Sequence, residues 1–324
     1  MKKVLILMAI GERENKLSKS GMNSVDGVVT EAIYYPYHNI LIRMIRKIWC
    51  NFNLPGFQIW FGEWWKEIEQ YEAVIAIAYK STYRLFQILR KRYPAVRRII
   101  YWWDPAIKTI LPDKVKSEVC EKWSFSKNDS LNFNLKYNPT FLPVDSKIYE
   151  NIMEPDKMLY DIMFVGSVGK IYYNRVQILS DFYSICEKKG LSTYIKVLYH
   201  SRGKNRPFEL KSAIAENEYY EIVKKSRAIL DIVEPDNKWM TLRPLEALYF
   251  HKKLISNNEE LVNEPLYHPD NVFIVGKDDI NNLPEFLNKP IKQLEEAVYQ
   301  HYAFKAWLER FGLDITGNRI GEEI

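Results

Sequence analysis

The chain has 324 residues, room for two domains of ordinary size, and its 47% hydrophobic and 27% charged content excludes a disordered polymer. A net charge of +5 suits anionic nucleotides, phospholipid surfaces or acidic glycans and is too small to imply nucleic acid. Cys50, Cys120 and Cys186 stand far apart, which excludes metal-ligand spacing and suits a reduced cytosolic compartment.

Val4 to Ile10 (VLILMAI) reads as a first buried strand, too short and wrongly flanked for a signal segment. No stretch of 18 apolar residues occurs, so no membrane span is expected. Gly11 to Gly27 reads as a long polar loop. Loops at the carboxyl ends of parallel strands are where α/β proteins bind ligands, which makes Glu12, Glu14, Asp26 and Glu31 candidate carboxylates.

Tyr37 to Phe52 carries apolar residues at 41, 44, 45, 48, 49 and 52, a helical stripe, with Arg43, Arg46 and Lys47 away from it. Phe57, Trp60, Phe61, Trp64 and Trp65 follow. Two readings stand: a core-facing helix with a basic outer face, or a basic and aromatic patch that touches an anionic bilayer.

Ala73 to Ala78 is the next strand, Ser81 to Tyr93 a basic helix ended by Pro94, and Val96 to Trp102 a strand leading into Asp104. A carboxylate there either faces a ligand cleft or caps the following helix. Glu118 to Ser126 reads as a further strand. Weak periodicity and Pro155 place a linker within 144–159 and a domain boundary at 150.

Tyr160 to Val165 restarts the strand pattern and runs into Gly166-Ser167-Val168-Gly169-Lys170. The spacing is not that of a Walker loop, but glycines at a strand-to-helix turn let a diphosphate approach the backbone, and Arg175 adds charge. Ser192 to Tyr199 and Asn271 to Val275 read as strands, Glu216 to Lys225 and residues 291–311 as helices, and 312–324 as a tail.

Ser226 to Asn258 is the most informative stretch. Arg227 to Val233 is strand-like, Glu234 to Asn237 is turn chemistry, Thr241 is a plausible N-cap, and Pro244 fits a first helical turn. Leu242, Leu245, Leu248 and Tyr249 form a stripe that excludes Arg243 and Glu246 from the core-facing side. An arginine at the positive end of a helix is mildly disfavoured unless an anion binds there. Arg243 thus reads as a diphosphate clamp, with Glu246 placed for sugar hydroxyls; the plain alternative is a solvated Arg–Glu pair.

Leu230-Asp231-Ile232, Pro235, Met240-Thr241-Leu242-Arg243, Glu246-Ala247-Leu248 and Lys252 to Asn258 together resemble the donor-binding half of GT-B glycosyltransferases. The nearest group is that of bacterial surface-polysaccharide biosynthesis, lipopolysaccharide and capsule included, with its spore-maturation-protein-like members. Lys238-Trp239 stands where that group has a small residue, Ser256 where it has Thr, and Ser126 where a "SFDK-x-D" run has Asp.

The resemblance implies an α/β protein of two Rossmann-like domains facing a cleft, with the last helix crossing back to the first domain. Residues 1–150 would bind a glycan or lipid-linked acceptor, and 151–311 a nucleotide sugar as substrate. It implies Gly166, Ser167, Arg175, Thr241, Arg243 and Glu246 as donor contacts. Asp104 and Glu12 would be the catalytic carboxylates. Neither a cofactor nor a metal is expected, and the place would be the cytoplasm, peripheral on the inner membrane face. The rivals are a sugar-nucleotide epimerase or phosphorylase of the same architecture, and a non-catalytic module binding polyanion or glycan.

Overall fold

A computed structural model gives the fold and describes residues 3–8, 21–35, 39–52, 54–144, 146–149, 158–168, 173–200, 203, 206–233 and 239–313. The chain forms two compact units, Met1–Asp145 with Phe304–Ile324, and Ser146–Ala303. Among the described residues no helix is long and apolar enough to cross a membrane.

The first unit holds β1 (Lys3–Met8), β2 (Val28–Ala32), α1 (Ile40–Asn51), β3 (Tyr71–Ile77), α2 (Lys80–Arg92), β4 (Arg97–Trp102), β5 (Glu121–Ser124), α3 (Lys127–Asn132) and β6 (Lys136–Tyr137). Its sheet has the order β2-β1-β3-β4-β5-β6, every pair parallel. Val4 to Leu7, Ala73 to Ala76 and Ile99 to Trp102 are buried without alternation, as expected of a parallel sheet covered on both faces.

The second unit holds β7 (Tyr160–Val168), α4 (Tyr173–Lys188), β8 (Thr193–Tyr199), β9 (Glu209–Leu210), α5 (Glu216–Lys224), β10 (Ser226–Asp231), α6 (Arg243–Tyr249), β11 (Lys253–Ser256), β12 (Val272–Ile274), α7 (Leu283–Asn288) and α8 (Glu296–His301). Its order is β12-β11-β10-β7-β8-β9, again all parallel. Sequence order reverses direction between β7 and β10, and that switch point is where open parallel sheets take ligands.

A last helix, α9 (Phe304–Glu309), belongs to the first unit, as expected of a last helix that crosses back, and the second unit ends at Ala303. Its Trp307 is 1% exposed and packs on Tyr101 and Phe141, and the Asn138 side chain donates to the Trp307 carbonyl at 2.9 Å. The expected helix over 291–311 is in fact α8 and α9, separated at Tyr302–Ala303, with 291–295 non-helical.

Other expectations also change. Val28–Ala32 is a strand, where the polar Thr30-Glu31 pair masks the pattern in the sequence. The short strands β6 and β9 carry no periodic signal. Gly166 and Ser167 are still strand, because β8 continues opposite them, pairing Ser167 with Leu198.

The aromatic run is core rather than patch: Phe57, Trp60, Phe61 and Trp64 are each at most 7% exposed. In α1 the expected core stripe, Trp49 excepted, faces outward instead. No α1 residue is buried, and the helix rests on the unit through Ile42, Trp49 and Cys50.

Candidate functional site

In the second unit the ladder between β7 and β10 ends at the pair Met163–Ile229, whereas β7 goes on pairing with β8 to Val168. The Val165 carbonyl therefore needs another donor. Arg243, the first residue of α6, supplies it: Nη2 donates to Val165 O at 2.8 Å, and Nη1 lies 3.5 Å from Asp231 Oδ1. Its Cζ sits over the Phe164 ring, 4.9 Å from the centroid. A cation from the helix thus closes the gap at the switch point.

Asp231 ends β10 and is 0% exposed. Its Oδ1 also accepts from the Thr241 hydroxyl at 3.0 Å, and its Oδ2 from the Ser256 hydroxyl at 3.3 Å. Thr241 Oγ1 in turn accepts the Arg243 backbone N–H at 3.3 Å. Thr241 therefore organises the entry to α6 from one position before the N-cap, which is Leu242. The Asn257 side chain accepts from Val233 N and donates to Val233 O, both at 2.8 Å, and Asn258 Nδ2 donates to Trp239 O. The sequence patch 256–258 is thereby explained as a clamp on the segments flanking the switch-point loop.

Arg243 and Glu246 are not the solvated pair that the helical stripe suggested. Glu246 is 6% exposed, and Tyr219 of α5 donates to its Oε2 at 2.5 Å. Burial raises the Glu246 carboxyl above the ordinary range, against the pull of Tyr219 and Arg243. Burial opposes the charge on Arg243, but Asp231, Tyr219 and Glu246 outweigh it and raise its pKa. Burial and Glu246 together push Tyr219 far up.

Gly166 is fixed by this packing. A Cβ there would come within 2.8 Å of the Phe164 ring and 3.1 Å of Arg243 Nη2. Arg175 Nη1 donates to Ser167 O at 3.1 Å, tying α4 to the end of β7. The structure thus gathers Gly166, Ser167, Arg175, Thr241, Arg243 and Glu246 around one sheet edge. Asp231 and Tyr219 complete the group. Asp231 was visible in the sequence as the end of a strand and as part of the resembling motif, with no role of its own, and Tyr219 only as one tyrosine on a helix.

In the first unit Asp104 follows β4. It caps nothing: Pro105 is the N-cap of the next turn without a side-chain bond, and Asp129 Oδ2 takes the Ala106 N–H at 2.9 Å. Asp104 is exposed, yet the surrounding protein raises its carboxyl, with Lys108 pulling the other way. Tyr79, the N-cap of α2, is raised by burial and by the Asp104 charge. Ser126 caps α3 by accepting from Asp129 N. Glu12 and Glu14 lie outside the described residues. Among the described residues no three His, Cys, Asp or Glu gather as a metal site.

No protein-family model matches the sequence, and no curated protein does. Solved structures do. The chain is similar to sucrose-phosphate synthase from Thermosynechococcus elongatus over 96% of its own length and 97% of that chain, at TM-score 0.56 and 10% identity. It is similar to a UDP-forming α,α-trehalose-phosphate synthase from Burkholderia xenovorans over 98% and 99%, at TM-score 0.51 and 10% identity. Against the glycosylation-associated protein complex from Streptococcus agalactiae the match covers 86% of this chain and 57% of that chain, at TM-score 0.43 and 12% identity. Two parallel six-stranded sheets with flanking helices are the GT-B fold, and the chain has that fold.

Proposed function

We propose that the chain is a glycosyltransferase that moves a sugar from a nucleotide-activated donor to a glycan or lipid-linked acceptor, in bacterial surface-polysaccharide biosynthesis. The observation that carries this reading is the Arg243–Asp231–Val165 network at the switch point of the second sheet. It holds a guanidinium in a fixed position with N–H groups left over, which suits a diphosphate.

In this reading Gly166 and Ser167 let the diphosphate approach the backbone, and Arg175 holds that strand end. Arg243 stabilises the charge that builds on the leaving diphosphate, with no resident metal or cofactor required. Thr241 sets the Arg243 backbone, and Glu246 accepts from ribose or sugar hydroxyls. Asp104, exposed and with its carboxyl raised, takes the acceptor's proton as the new bond forms, provided the reaction inverts; Glu12 is the second carboxylate of the first domain. The work would take place in the cytoplasm at the inner face of the membrane, where lipid-linked acceptors are found.

A nucleoside diphosphate titrated into the intact protein tests the reading. Binding, with sugar transfer that depends on an added acceptor, supports it. Turnover of free nucleotide sugar without acceptor would instead make the chain an epimerase, and dependence on inorganic phosphate a phosphorylase.

A further inference from the structure

Helix α1 is amphipathic, but the side turned to the protein is the mixed one. Ile42, Trp49 and Cys50 pack on the core, and the Arg46 guanidinium stacks over the Tyr34 ring at 4.4 Å. Arg84 of α2 donates to the carbonyls of Trp49 (3.1 Å) and Leu54, fixing the end of the helix. Asn39 caps its start, accepting from Leu41 N at 2.8 Å. With both ends and the inner face anchored, the outward face is set by the fold.

That outward face is apolar. Ile40, Leu41, Met44, Ile45, Ile48 and Phe52 are 64%, 67%, 55%, 48%, 51% and 74% exposed. At 100° per residue they fill one continuous arc. Ile59, in the turn that follows, is 57% exposed as well. Apolar side chains left in water forgo the gain of burial, so a contiguous exposed set marks a contact surface.

Charge selects the occupant. Lys47 and Arg43 lie on one shoulder of the arc, and no Asp or Glu occurs between Glu31 and Glu63. A second copy of the chain across a two-fold axis would set these cations against themselves with no carboxylate to answer them. An anionic bilayer offers apolar depth and negative headgroups together.

We propose that the apolar face of α1 seats the first unit on an anionic lipid bilayer, with Leu41, Met44, Ile45, Ile48 and Phe52 entering the acyl boundary. Docking there deepens the acceptor side of the proposed function and rests on it. The inserting residues are the aliphatic ones, not the aromatic cluster, which is core. Nor is Arg46 part of the contact, since its guanidinium is engaged by Tyr34.

Flotation of the intact protein with vesicles tests this, using equal phosphatidylglycerol and phosphatidylcholine against phosphatidylcholine alone. The parent should partition into the anionic vesicles at least tenfold more strongly. The double variant Leu41→Ser/Ile48→Ser changes exposed side chains only, so it should keep the parent's melting temperature and its affinity for a nucleoside diphosphate. It should lose anionic-vesicle binding by more than tenfold. Equal binding by parent and variant, no binding by either, or a lipid-free dimer that the variant dissociates would each overturn the proposal. Loss of nucleotide binding with vesicle binding intact would count against the donor reading and leave the docking face standing.

Discussion

The two units carry the same kind of sheet and finish its carboxyl edge in opposite ways. In the second, polar side chains from β10, β11, α5 and α6 interlock, and Arg243, Asp231, Thr241, Ser256, Glu246 and Tyr219 all have partners. In the first, the strand ends are closed by buried aromatics such as Tyr101 and Trp102, and Asp104 is exposed. A group that must hold an anion in place is best fixed before the ligand arrives. A group that must accept a proton needs a free lone pair and a raised pKa. In the proposed reading the contrast gives positioning to one unit and proton transfer to the other.

The largest effect should come from Asp104. Replacing it by Asn should lower the transfer rate by about 10²–10⁴-fold, the usual contribution of a general base. Stability should stay within about 0.5 kcal/mol, because the change is at an exposed side chain. Steady-state assays with a denaturant titration check both. An unchanged rate would remove the functional half of the contrast.

Arg243→Ala should do the opposite and damage the fold. It strands a buried Asp231 and the Val165 carbonyl, at a cost of about 3 kcal/mol. The position of Arg243 at the positive end of a helix had suggested that its removal would be harmless; the ion pair with Asp231 reverses that sign. Chemical denaturation measures it, and a loss under about 0.5 kcal/mol would mean that the network is not structural.

Gly166→Ala should cost about 1–3 kcal/mol, since the new methyl meets the fully buried Phe164 ring and the Arg243 guanidinium. Tolerance of alanine at this position would show that the strand end is looser than the contacts imply.

Glu246→Gln should change the pH profile of stability most modestly. Its carboxyl is raised in the folded state above the ordinary value of 4.5. The protonated form is thus favoured by folding, and this stabilisation is complete below that ordinary value. It is lost as pH rises through the raised one. The melting temperature of the parent should therefore fall relative to Glu246→Gln from acid towards neutral pH. Parallel profiles would mean that burial does not perturb this group.

The stretch 226–258 was legible because turn residues, a proline in the first helical turn and an apolar stripe agree with one another there. The burial of Arg243 and Glu246 was not, because the covering groups, Asp231 and Tyr219, come from other elements. Helical periodicity located α1 and its two faces but could not say which one meets the core. The Arg46–Tyr34 stacking and the Arg84 bonds decide that, and they join distant parts of the chain. β2, β6 and β9 are too short or too polar to leave a period-2 signal.

The central claim, that the second unit presents Arg243 to a donor diphosphate, is tested most directly by calorimetric titration. The ligands are a nucleoside diphosphate and inorganic pyrophosphate, and the proteins are the parent, Arg243→Lys and Glu246→Gln. Lysine keeps a cation near Asp231 but cannot make the bidentate fork, so nucleotide and pyrophosphate affinity should both fall about tenfold, or about 1.4 kcal/mol. Glu246→Gln should weaken the nucleotide and leave pyrophosphate unchanged. Equal affinities of all three proteins for both ligands would contradict the account and return the network to a purely structural role.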